Sequence, residues 1–159
     1  MQKIIIVIIT IISAVLLTGC GKETEEEIKN KKTSTEINDK VSSIEIENSK
    51  IFEGLDILND NTLETQIGIN RDYVEKHAIG ISMYGNTKKL YMIIKPKEEN
   101  KKIVKQALDL YIERKTEEAL EEDKKLYENA LKEEYNGYYV YIVSDNNEEV
   151  FNKIIEYLK

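Results

Sequence analysis

Thiols, imidazoles and indoles are nearly missing from this chain: its 159 residues include one cysteine, one histidine, one proline and no tryptophan. A single cysteine closes no intrachain disulfide and builds no thiolate metal cluster, so the fold must stand on packing alone. The lone histidine, His77, has no second imidazole and no evident nucleophile to work with, and its alternating apolar neighbours mark it as a packed or half-exposed strand residue. No glycine-rich phosphate loop and no repeat period occurs. Arginine is scarce as well, at two residues against 21 lysines. The formal net charge is −7, which excludes nucleic acid as a natural partner because such a chain gains nothing from phosphates. The one calcium-like cluster, Asn59-Asp60-Asn61, places Glu64 where a calcium loop needs a sharply turning glycine. No metal and no cofactor is therefore expected.

What the chain does have begins at its N-terminus. Lys3 and the amine supply positive charge, and Ile4 to Leu17 form a nearly unbroken apolar run ending in Leu17-Thr18-Gly19-Cys20. Fourteen residues fall short of the roughly 20 that a spanning helix needs, and suit a signal-peptide core. The run is apolar all round, unlike a surface helix of a small domain, and no Ala-x-Ala-like cleavage site precedes the cysteine. The motif resembles the lipobox of bacterial lipoprotein signal peptides. That resemblance implies that Leu17, Thr18 and Gly19 precede a cut, that residues 1–19 are removed, and that the Cys20 thiol carries a diacylglyceryl group. Two acyl chains anchor stably where one holds only marginally. Membrane lipid is then the first expected partner, and the extracytoplasmic side of the cell membrane the expected location. Loss of Lys3 with the signal leaves 22 basic against 30 acidic side chains, a net charge near −8.

Composition divides the remainder. Residues 20–40 hold Glu, Lys, Thr, Ser and Asn with only Ile28 and Ile37 as sizeable apolar groups, and read as a flexible charged tether. Residues 41–159 are long enough for one domain with a real core. Val41, Ile44, Asn48, Ile51, Phe52 and Leu55 recur at helical spacing and predict a helix over 42–53, although Ile44-x-Ile46 also suits the start of a strand. Thr62 is placed to cap a short helix through Gln66. Alternation of His77, Ile79, Ile81 and Met83, then of Leu90, Met92 and Ile94, predicts a β-hairpin over about 77–95 around Gly85-Asn86, closed by Pro96. From Glu98 the period turns helical through Ile103, Val104, Ala107, Leu108 and Tyr111, lapses into polar residues, and resumes at Leu120, Leu126, Tyr127, Ala130 and Leu131. A helical segment over 98–134, broken near 116–122, follows. Asn136-Gly137 predicts a turn, 138–143 a strand covered on both sides or central in its sheet, and Asn146 with Glu149 a capping box on the last helix. The whole is α+β, a small and mainly antiparallel sheet backed by helices on one face.

The order of these segments, with Gly137-x-Tyr139-Val140-x-x-Val143-Ser144-Asp145 before a closing helix, resembles a family of small uncharacterised lipoproteins of low-GC Gram-positive bacteria. The resemblance implies a domain from about Val41 onward and transfers no activity, cofactor or catalytic residue. An aromatic-x-Pro step frequent in such chains is replaced here by Glu121-Glu122-Asp123.

Two function classes follow. The first is a non-catalytic accessory or binding module of the cell envelope, taking another envelope protein or a wall component as partner. Tyr135, Tyr138, Tyr139 and Tyr141 are its candidate binding surface, because tyrosine supplies contact area at low entropic cost. The second is a small wall-acting hydrolase whose acid–base pair comes from Glu117, Glu118, Glu121, Glu122 or Asp123 at the helical break. Those carboxylates share their run with Lys124 and Lys125, as solvated helix faces commonly do.

Overall fold

The computed structural model describes residues 25–82 and 88–159. The N-terminal apolar run, Leu17 to Cys20 and the Gly85-Asn86 turn lie outside the described residues. Among the described residues the architecture is α+β: a five-stranded antiparallel sheet, a separate two-stranded ribbon and five α-helices.

The hairpin forms as its alternation requires. Strand β4 (Val74–Ile81) and strand β5 (Leu90–Pro96) pair antiparallel, with Ile79 opposite Met92 and His77 opposite Ile94. Pro96 is the last residue of β5, where a missing amide costs least. Strand β7 (Tyr138–Val143) lies on the other side of β5, Tyr141 opposite Met92. The edges are β3 (Asp56–Ile57) beyond β4 and β6 (Leu131–Tyr135) beyond β7, giving the order β3-β4-β5-β7-β6. Asn136 and Gly137, both at positive φ, make the two-residue turn from β6 into β7.

Four expectations are corrected. The helical segment stops at Glu128: helix α3 (Lys101–Glu118) and helix α4 (Glu121–Glu128) are separated by extended Ala119 and Leu120, and 131–135 is strand. Leu131-Lys-Glu-Glu-Tyr135 carries no strand pattern because an edge strand with mostly exposed side chains needs none; pairing with β7 decides it. The expected helix over 42–53 is instead the ribbon β1 (Glu45–Ile46) and β2 (Ser49–Lys50), turned by Glu47 and Asn48 at φ 52° and 64°. The short helix α2 (Asp60–Thr62), continued by a π turn at Leu63–Ile67, is capped by Asn59, whose Oδ1 accepts from the Thr62 amide at 3.2 Å, so Thr62 is not the cap. The capping box on helix α5 (Asn147–Tyr157) does not form either. Asn147 Oδ1 accepts from the Ser144 amide at 2.7 Å and from its hydroxyl at 3.0 Å, while Asn147 Nδ2 donates to the Asn129 carbonyl at 2.8 Å. That one side chain ties the ends of β7, α4 and α5 together.

Two further corrections change the layering. Of the flexible tether expected over 20–40, residues 20–24 lie outside the described residues and 25–40 are helical: helix α1 (Glu25–Ser42) runs across the expected boundary at 40, with Ile37 and Val41 each 2 % exposed. Helices also cover both faces of the sheet, not one. On one face Ile79, Ile81, Leu90, Met92, Ile94, Tyr139, Tyr141 and Val143 pack against Val104, Leu108, Tyr111 and Ile112 of α3, Tyr127 of α4 and the 58–69 segment. On the other Ala78, Tyr91, Ile93, Val140 and Ile142 meet Ile37 and Val41 of α1, Phe52, and Val150 and Ile154 of α5. The reason is in β5: Leu90 to Ile94 is apolar at every position, so both faces of the central strand must be covered.

Candidate functional site

The four tyrosines singled out above do not share a face. Successive strand residues point to opposite sides, so Tyr139 and Tyr141 enter the α3 side and are buried there, while half-buried Tyr138 packs on the α5 side. Tyr135, opposite Tyr138 on β6, is half-buried. With helices on both faces, no bare tyrosine-rich sheet surface remains among the described residues.

Tyr141 instead serves a polar junction. Its hydroxyl donates to Asp109 Oδ1 at 2.7 Å, and Asp109 Oδ2 also accepts from Lys105 Nζ at 2.7 Å, with Lys132 Nζ 3.7 Å from Oδ1. Burial works to raise the Asp109 pKa, but the bonds from Lys105 and Tyr141 and the charges of Lys105 and Lys132 outweigh it and hold it below 3.8. Burial, then the anionic Asp109 beside it, push the Tyr141 phenol far up. An un-ionised phenol held against a carboxylate already satisfied by two lysines is a strut between α3 and β7.

His77 makes the second junction. The residue is 4 % exposed, and its Nε2 lies 2.6 Å from Asp60 Oδ1, which also pairs with Arg71 Nε at 3.1 Å. Burial, reinforced by Arg71, lowers the His77 pKa against the pull of Asp60. At neutral pH the contact is accordingly a hydrogen bond from a neutral imidazole, not an ion pair. Partial burial raises the Asp60 pKa, but the bond from His77 and the charge of Arg71 bring it below 3.8. The geometry is inverted relative to a catalytic dyad. A working base keeps its carboxylate inside and offers its free nitrogen to substrate, whereas here Asp60 is the half-exposed partner and Nδ1 is buried without a hydrogen bond.

A third junction was invisible in the sequence. Tyr91 is fully buried on the α1 side, its hydroxyl donating to Asn38 Oδ1 at 2.9 Å and lying 3.3 Å from Ser42 Oγ. Burial pushes its pKa up to about 12. Phe52 meets the ring edge-on at 5.0 Å. Gly80 lies beneath: a Cβ there would stand 2.6 Å from Tyr91 Cε1, so only glycine leaves room for the ring. An apolar pair such as Ile37 and Val41 enclosing an asparagine was the one available signal.

The carboxylates of the helical break are exposed or paired with lysines. Glu117, Glu121 and Glu122 are exposed, Glu118 pairs with Lys115 at 3.1 Å, and Asp123 with Lys88 at 3.3 Å. No group of three or more His, Cys, Asp or Glu able to hold a metal occurs among the described residues. One open depression of about 350 Å³ lies between the end of α1 and α5, floored by Val41 and Ile154 and rimmed by Lys40, Glu45, Lys153 and Tyr157. No helix among the described residues is long and apolar enough to cross a membrane. Protein-family models, curated proteins and solved structures yield no match to this chain.

Proposed function

We propose that this protein is a lipid-anchored extracytoplasmic lipoprotein whose folded body is a non-catalytic accessory or binding module of the cell envelope. The observation that carries the reading is the apolar run Ile4 to Leu17 leading directly into Leu17-Thr18-Gly19-Cys20. The thiol is the nucleophile that accepts the lipid through a thioether, and no other cysteine competes with it. Support for a binding or accessory body comes from its buried rings, since Tyr91, Tyr141 and His77 all serve junctions that hold neighbouring segments to the sheet. The resemblance to small Gram-positive lipoproteins belongs to the same proposal.

The direct test feeds cells a labelled fatty acid and follows the chain by fractionation. Wild type takes up label and stays with the membrane. Cys20→Ser takes up none and either keeps residues 1–19 or leaves the membrane fraction once cut. A Cys20→Ser form that is processed and retained like wild type would sink the proposal.

A further inference from the structure

The length of chain between the anchor and the body is set by helix α1, and this limits which partners the body can meet. Cys20 to Glu25 spans five residue steps, at most about 18 Å when fully extended. From Glu25 to Ile37 the chain is helical, and twelve residues at the α-helical rise add about 18 Å. At Ile37 the chain is already inside the body: Ile37, Asn38 and Val41 are buried, and Asn38 accepts the Tyr91 hydroxyl at 2.9 Å. The first docked residue is thus within about 36 Å of the lipidated cysteine, against about 60 Å for the same 17 residues extended.

Nor does the helix suit lying in the lipid surface. An interfacial helix needs an apolar face, whereas residues 22–36 offer one large apolar side chain, Ile28, and their four lysines are offset by five glutamates. The acidic body is likewise not a lipid-binding surface.

Resting on the anchored reading, we propose that α1 is a rigid spacer, docked through Ile37, Asn38 and Val41, that confines the body to a membrane-proximal layer. Its partner is then the extracytoplasmic part of a protein held by the same membrane, not a wall polymer farther out.

The test uses the full lipidated chain in vesicles with acceptor dye on the lipid headgroups and donor on Lys159→Cys, the single free thiol once Cys20 is lipidated. Twenty Gly/Ser residues inserted between Gly21 and Lys22 leave the body untouched and restore a long tether. Wild type should show a narrow donor-lifetime distribution and at least twice the transfer efficiency of the insertion variant. Equal efficiency and equal breadth in the two chains would overturn the spacer while leaving the anchor intact. A wild-type chain that fails to float with vesicles would overturn the anchor, and the spacer with it. In cells, a photo-reactive residue at Leu110, 63 % exposed, should give adducts that follow detergent-soluble membrane proteins. Adducts that sediment with wall polymer would overturn the partner class.

Discussion

The two faces of the sheet are built to different rules. On the α3 side the polar partners of buried rings stand at the rim: Asp109 serves Tyr141, Asp60 serves His77, and both carboxylates keep access to water and lysine or arginine. On the α1 side the partner is Asn38, itself buried, and the ring it serves presses on a glycine. A rim junction tolerates loss of one member because water replaces it. An enclosed one does not, since each orphaned group bears its full desolvation cost.

The sharpest break of this comparison is Gly80→Ala. The added methyl collides with the Tyr91 ring, and overpacking in a filled core should cost about 3 kcal/mol in urea denaturation. A loss within about 0.5 kcal/mol would mean that the ring is free to move aside. Next comes Tyr91→Phe, which strands Asn38 and should cost about 2 kcal/mol. Tyr141→Phe removes the equivalent hydroxyl on the other face; with Asp109 still paired to Lys105, about 1 kcal/mol is expected. If Tyr141→Phe proved the costlier of the two, the distinction between faces would fall.

Acid sharpens the comparison further. His77 binds its proton less readily folded than unfolded, so the unfolded state holds more protons just below pH 6.5. Stability should be level above that value, fall as pH drops through the window beneath it, and level again once both states are protonated. Asp60 adds a separate loss only at and below about 3.8. Urea midpoints measured between about pH 5 and pH 7.5 should show the first slope in wild type and lack it in His77→Gln. The smallest effect belongs to the exposed pair Lys105–Asp109: Lys105→Met should change stability by less than about 0.5 kcal/mol, less still in high salt.

Legibility followed burial pattern. The β4–β5 hairpin, the α3 stripe, the break before α4, β7 and the buried face of α5 all announce themselves, because each buries a periodic apolar set. Helix α1 does not. Its docking rests on Ile37 and Val41 with an asparagine between them, too little apolar surface for any local rule to detect, and the rest is supplied by Tyr91 and Phe52 from elsewhere in the chain. β6 is hidden for a related reason, since its partner and not its own residues makes it a strand, while the 45–50 ribbon shows only in the Ile44-x-Ile46 alternation that competes with a helical spacing. The α1 face shows that a segment poor in apolar groups folds when a buried polar group gives it one specific place to sit. The expected tyrosine surface does not form for the complementary reason, since a strand's phenols are exposed only if no helix arrives, and α3 and α5 both do.

Strand β6 carries a consequence of its own. Among the described residues no strand lies beyond it, so its outer row of amides and carbonyls is a template on which another chain can pair. Lys132, Glu133 and Glu134 occupy that border with exposed charges. Exposed charges along an unpaired border disfavour edge-to-edge pairing between copies, where an apolar border would let them stack into fibrils.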